Sequence, residues 1–525
     1  MKNLLRLLVC AGLLHAAAAY ALTAEEARAI AVGEGDARIS ALRAAMARAD
    51  AFTIQYVQAL GDDAVRMVGD KAVILQGEQG IDPVNGMPVP VPDSAEEVMT
   101  NNRMRAEIES ALAAVKLLSP KVEQRREAIQ ELQGNVDSSK LEVLDKAFAQ
   151  ETVAELKEQL GLLRAIAMLD SSDAALRLQA ARALGESSQS GIKALLLERL
   201  QAETVPEVKG ALQVSLQHIE SVLAWGEKLG AIFSGASLGS ILLLVALGLA
   251  ITYGLMGVIN MAHGELMMVG AYATYMVQVL FRQYAPGAFD WYLLAAVPVA
   301  FAASALVGAV LERGVIRFLY GRPLETLLAT WGISLILMQL VRTLFGAQNV
   351  AVENPSWMSG GLALIGNLSL AYNRLVIIGF ALAVLAGVAF LIGKTRLGLF
   401  VRGVTQNRPI AACMGVNTAR VDTYAFALGS GIAGLAGCAL SQIGNVGPDL
   451  GQGYIVDAFM VVVLGGVGQL AGTVYAALGL GVLNKFLEGW AGAVLAKIAV
   501  LVFIIIFIQK RPQGIFAMKG RSVEA

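Results

Sequence analysis

The chain has 525 residues, 56% of them hydrophobic and 16% charged, a balance outside the range of ordinary soluble enzymes. Residues from Leu229 onward carry 17 Lys/Arg against 10 Asp/Glu, and the residues before carry 24 against 32. Three Cys and three His, with no pair at ligand spacing, exclude a disulfide framework and give no reason to expect a metal or any other cofactor. The sequence therefore reads as two parts, an acidic water-soluble half and a polytopic membrane half.

Residues 1–21 have a basic start (Lys2, Arg6), a short apolar centre and small residues at Ala19 and Ala21, the pattern of a signal peptide cleaved near Ala21 or Ala24, with an uncleaved anchor as the alternative. An exported, periplasmic domain over 22–225 is the expectation. Within it Glu25–Leu60 reads as amphipathic helix, Asp62–Pro92 as a small β-hairpin and loop, and Ala95–Leu118 as helix capped by Asp93 and Ser94. From Ser119 a weak repeat places Leu132, Leu184 and Leu216 at matching positions. That pattern resembles HEAT-type helical repeats, with an ordinary helical bundle as the alternative.

After an amphipathic lead (Ser221–Ser234), the candidate spans are Leu238–Gly257, Glu265–Phe281, Tyr292–Leu311, Leu324–Leu344, Asn373–Gly393, Val421–Ser441 and Gly492–Ile508. Lys394–Arg420 holds five basic residues and no acidic one, so it reads as a cytoplasmic loop. With the first domain outside, Glu312–Arg317 and Arg322 fall inside and Ala347–Tyr372 outside, leaving a cytoplasmic tail at 518–525. That works only if Tyr454–Leu487 starts and ends outside, as a re-entrant hairpin or two short spans. The break falls at Gly465–Gly472, with Gly465, Gly466 and Gly468 as the helix-breaking residues. The fold class expected is all-α: a polytopic helical membrane domain over 230–517 behind an exported helical domain.

Two nucleotide-site lookalikes fail on context. Gly387–Thr395 has the wrong glycine spacing for a phosphate loop, and Gly466–Ala471 has no βαβ unit around it. Asn260, His263 and Glu265 are costly in lipid. They either line a translocation route or tie down a tight connection between two spans. Asp457 and Lys497 are the other odd intramembrane charges; each either snorkels to the outer interface or joins the path. No nucleophile–base–orienter set accompanies His263 and Glu265, so no catalytic residue is expected.

Four segments in order, GVINMAHGELMMVGAY, TRLGLFVRGVTQNRPIAACMGVNTARV, DAFMVVVLGGVGQLAGTVYAALGLGVLN and RPQGIF, resemble the permease family of branched-chain amino acid ABC importers over about Ile232–Ala517. The exported domain, AVENPSWMSGG and QKRPQGIF look more like its urea-transport branch. The resemblance implies that Thr395–Arg420 is a coupling loop seated on a cytoplasmic ATPase, with Arg396, Gly398, Arg402, Asn407, Ala411 and Gly415 serving docking and loop shape. It also implies a second homologous permease, two ATP-binding subunits and a periplasmic substrate-binding protein, in a bacterial inner membrane and with no nucleic acid. Urea is the leading substrate on this reading, and branched-chain amino acids are the alternative. A membrane-anchored scaffold without transport is a third reading, opposed by the cationic loop and the glycine break.

Overall fold

A computed structural model describes residues 22–46, 50–77, 79–92, 95–134, 136–187, 189–365 and 367–516. The signal-peptide reading, the caps Asp93 and Ser94 and the tail at 518–525 lie outside the described residues. The chain is mostly helical and divides into two compact units, Met1–Ser221 and Val222–Ala525.

In the first unit, three helices replace the single one expected over Glu25–Leu60: α1 (Ala24–Val32), α2 (Gly35–Met46) and α3 (Ala51–Gly61). Thr23 and Glu26 close a capping box at α1, Gly33 ends it, and Asp50 caps α3. Strands β1 (Val65–Val68), β2 (Lys71–Gln76), β3 (Gln79–Ile81), β4 (Pro88–Val89) and β5 (Glu96–Glu97) form an antiparallel sheet in the order β4-β3-β2-β1-β5. The all-α expectation is corrected accordingly. Strands of two or three residues are too short to show alternation. Glu96 and Glu97, read as the start of a helix, pair instead with Met67 and Arg66, so tertiary pairing overrides helix propensity. Helix α4 (Asn102–Lys116) starts at its Asn101 cap. Tyr56 anchors this core, fully buried, its hydroxyl donating to Ala27 O at 2.7 Å.

The remaining helices of this unit are α5 (Val122–Leu132), α6 (Leu141–Gln150), α7 (Ala154–Leu169), α8 (Ala174–Gly185) and α9 (Ser190–Ala202). A clasp recurs among them. Arg125 donates to both oxygens of Glu151 at 2.8 and 3.0 Å and to the carbonyls of Ser119 and Pro120. Glu151 in turn accepts the amides of Thr152 and Val153. Arg177 donates to Glu203 at 2.8 and 3.0 Å and to Ser171 O and Ser172 O, and Glu203 accepts the amides of Thr204 and Val205. Each member of the second clasp follows its counterpart by 52 residues. The duplication relates Leu132 to Leu184; Leu216, also buried, stands outside that period.

Helix α10 (Pro206–Met256) runs unbroken through Ser221–Ser234, so the amphipathic lead is not a separate element, and the division after Ser221 falls inside it. The second unit continues with α11 (His263–Tyr284), α12 (Tyr292–Gly314), α13 (Pro323–Phe345), the hairpin β6 (Gly361–Ile365) and β7 (Leu368–Ala371), and α14 (Tyr372–Lys394). Then come α15 (Arg396–Gln406), α16 (Arg408–Cys413), α17 (Thr418–Leu440), α18 (Leu450–Gly465), α19 (Leu470–Ala491) and α20 (Ala493–Lys510). Seven helices are long and apolar enough to cross a membrane among the described residues: α10, the helix ending at Gly314, α13, α14, α17, α19 and α20. Helix α11 is not one of them, since it carries His263, Glu265 and Arg282; it lies largely buried within the bundle.

Small residues let the central helices touch. A Cβ on Gly437 would fall 1.9 Å from Met267 O, joining α17 to α11 backbone against backbone. Gly264 and Gly451 meet in the same way, since a Cβ on either would come within 2.4 Å of the other's backbone.

Candidate functional site

The cationic segment folds as two short helices. Thr395 caps α15, Asn407 caps α16 by accepting the Ile410 amide at 3.1 Å, and Asn417 caps α17. Val401, Val404, Ala411, Val421 and Ala425 make a small core beneath them. The six residues singled out from sequence divide by place. Arg396 and Arg402 are exposed, and Gly398 and Ala411 are buried. Asn407 is a cap, and Gly415 takes φ +82°, the left-handed conformation that ends α16. A Cβ on Gly398 would lie 2.1 Å from Ile392 O, so α15 folds back on α14 only with glycine there. The outer face presents Leu399, Phe400, Ile410 and Met414, all exposed.

This segment is tied to the bundle by a charge network. Arg408 pairs with Asp422, near the start of α17, and stacks on the Tyr320 ring, 5.3 Å from its centroid. Glu312, fully buried near the end of α12, accepts from Thr423 Oγ1 at 2.6 Å, from Tyr320 at 3.0 Å and from Arg317 at 3.3 Å. Burial and the neighbouring Glu312 and Asp422 carboxylates push the Tyr320 phenol above its ordinary value. None of Glu312, Tyr320, Asp422 or Thr423 stood out as a site residue in the sequence. The available signal was an acidic residue, Asp422, directly after a run of uncompensated arginines.

The polar residues between α10 and α11 do not form one cluster. Asn260 Oδ1 accepts the Ala262 amide at 3.1 Å and shapes the turn, while the Thr330 hydroxyl of α13 accepts the Met261 amide at 3.1 Å. His263 points toward α10, its Nε2 3.1 Å from Val245 O and its ring against Gly248. Glu265, two positions on, lies on another side of α11 with the Ser334 hydroxyl of α13 as its side-chain partner. Asn260 Nδ2, His263 Nδ1 and Glu265 Oε2 are buried without a hydrogen-bond partner among the described residues.

Asp457 and Lys497, read separately from sequence, sit 3.9 Å apart on α18 and α20. At the break, Gly466 takes φ +95° and Gly468 φ +80°, conformations that favour glycine. The RPQGIF segment closes on this turn: Ile515 N donates to Leu464 O at 2.8 Å, and a Cβ on Gly466 would meet Phe516 O at 2.4 Å. Phe516 stacks on Tyr475. On the ENPSW stretch, Trp357 Nε1 donates to Asp290 O at 2.9 Å, and Trp490 is exposed.

Comparison with known proteins bears on the second unit. Residues 231–509 match the family described as branched-chain amino acid transport system / permease component. The chain is 29% identical over 292 residues to the high-affinity branched-chain amino acid transport system permease protein LivH of Escherichia coli K12, covering 54% of this chain and 93% of that protein. It is 28% identical over 292 residues, with the same coverage, to LivH of Salmonella typhimurium. To the permease protein BraD of Pseudomonas aeruginosa it is 27% identical over 288 residues, 54% of this chain and 93% of the relative. No solved structure matches. With the family's match spanning more than half of its length, and with helices, glycine contacts and cationic segment falling inside that match, the chain belongs to the branched-chain amino acid transport system permease family.

Proposed function

We propose that the chain is the membrane-spanning permease of an ATP-driven importer, working with a second homologous permease, two cytoplasmic ATP-binding subunits and a periplasmic substrate-binding protein. The observation that carries this reading is the pair of capped helices α15 and α16. They expose Leu399, Phe400, Ile410 and Met414 beside Arg396 and Arg402 while Arg408 fastens them to α17. An apolar face ringed by cations is suited to a groove on another protein. In this reading Lys394–Arg420 faces the cytoplasm, the first unit is an exported HEAT-like dock for the binding protein, and the membrane is a bacterial inner membrane. Glu265 is the path residue, Asn260 and His263 shape its entrance, and the Asp457–Lys497 pair holds α18 to α20. The glycine break at Gly465, Gly466 and Gly468 supplies a discontinuous element for alternating access.

The names of the relatives favour branched-chain amino acids as the solute. Urea is the second reading, favoured by the additional first unit, which lies outside the matched residues, and by the AVENPSWMSGG and QKRPQGIF segments. ATP-dependent uptake of labelled leucine and labelled urea, compared in proteoliposomes holding the full complex, separates them. Leucine uptake that urea does not compete supports the first, and the reverse supports the second. Failure of both with an intact complex removes the transport reading.

A further inference from the structure

Two buried oxygens on one face of α11 have no partner among the described residues: Glu265 Oε2 and the Tyr272 hydroxyl. The two residues are seven apart, two helical turns, so they lie on the same side of the helix about 10 Å from one another. Both face α13. Glu265 is beside Ser334, and the Tyr272 ring packs on Phe345, with centroids 4.7 Å apart, and on Val341. A buried oxygen left without a donor or acceptor costs free energy unless something visits it.

Helix α13 is built to allow such a visit. Its buried residues, Thr326, Thr330, Ser334, Met338 and Val341, make one narrow stripe. The opposite face is exposed, with Leu328 and Ile336 each about two-thirds exposed. Its contact with α11 along this stripe includes Ser334, Leu337, Val341 and Phe345, and Thr330 binds the turn before α11. A helix held by a thin polar and apolar seam separates from its neighbour at less cost than one locked by backbone contact, as α17 is to α11.

We propose that the seam between α11 and α13 is where the transported solute is held, with Glu265 Oε2 taking the solute's nitrogen-bound hydrogens and the Tyr272 hydroxyl forming a second station for its oxygen. The solute class is a small molecule that carries N–H donors together with a carbonyl or carboxylate acceptor. Leucine and urea both meet that description. The inference rests on the transport reading and adds residues to it: Tyr272 and Ser334.

The test is thiol protection in the assembled complex, with all three native cysteines replaced by alanine. Ser334→Cys and Val341→Cys report the two stations, and Leu328→Cys on the exposed face of α13 is the control. During ATP turnover with binding protein present, saturating leucine or urea, whichever is taken up, slows maleimide labelling of the first two at least threefold and leaves the control unchanged. Adding Glu265→Gln to Ser334→Cys raises the half-protecting solute concentration about tenfold, the weight of one charged hydrogen bond. Labelling of Ser334→Cys that is independent of solute, or absent under all conditions, while the complex transports, overturns the seam and leaves the transporter standing. A complex that takes up neither solute overturns the transport reading itself, and the seam with it.

Discussion

The Thr423 hydroxyl donates to Glu312 Oε2 across 2.6 Å, joining the N-terminal part of α17 to the end of α12, two helices far apart in sequence. Glu312 is the shared acceptor for Thr423, Tyr320 and Arg317, and Arg408 reaches the same region through Asp422. Glu312→Ala leaves three donors at a buried position without their acceptor, an expected loss of about 3 kcal/mol. The melting temperature of the purified protein in detergent measures it. Glu312→Gln keeps an acceptor oxygen and should lose less than half as much. An unchanged melting temperature for the alanine variant would remove the network from the account of stability.

Arg402 and Arg408 are both cations of Lys394–Arg420, and the structure places them differently. Arg402 is exposed on α15, whereas Arg408 is paired inward with Asp422. Arg402→Glu should reduce solute-stimulated ATP hydrolysis by the complex at least tenfold with no change in melting temperature. Arg408→Glu sets a like charge against Asp422 and should lower the melting temperature as well. Undiminished stimulation in Arg402→Glu would sink the docking role of that face.

The contact between Gly264 and Gly451 leaves no room for a methyl group. A Cβ on Gly264 would sit 2.4 Å from Gly451 O, so Gly264→Ala should destabilise by about 1–3 kcal/mol through forced backbone shifts. Gly453→Ala, two positions on, meets nothing within 4 Å and serves as the control. Equal yield and equal melting temperature for the two variants would refute the close approach.

Acid should loosen the first unit in a defined window. Hydrogen bonds from Arg125 and Arg177 hold the Glu151 and Glu203 carboxyls at about 2, against an ordinary 4.5. A carboxyl with a lowered folded pKa contributes fully above its unfolded value, and that contribution is lost as pH falls from 4.5 toward 2. Hydrogen exchange across residues 150–205 of the full chain should therefore accelerate between pH 4.5 and 2. In Glu203→Gln the second clasp should already be loose at neutral pH and respond less to acid. Identical pH profiles for the two proteins would show that the clasp does not govern the window.

What the sequence made legible was whatever one window could carry. The apolar runs marked six of the seven long apolar helices but also marked α11, which is not one of them; five basic residues without an acid marked Lys394–Arg420, and clustered glycines marked the break at Gly465–Gly472. Long-range partners were hidden. Nothing near Arg125 announces Glu151, and the 52-residue duplication emerges only when the second clasp is laid over the first. Tyr272 looked like one more aromatic in an apolar helix, because its unpartnered hydroxyl is a property of its neighbours. Asn260, His263 and Glu265 formed a cluster in sequence, yet helical geometry turns His263 and Glu265 to different neighbours. The five-stranded sheet was read as one hairpin, since strands of two residues have no period to detect.

The bond from Ile515 to Leu464 also sets an order of assembly. Helices α19 and α20 must both be synthesised before the residue that completes the turn ahead of them exists. A chain emerging from the ribosome therefore carries the break between α18 and α19 as an unfinished joint, with the Leu464 carbonyl waiting for its donor. Truncation just before Arg511 should leave the seven long apolar helices of the described residues in the product and yet deliver a protein whose central joint never sets.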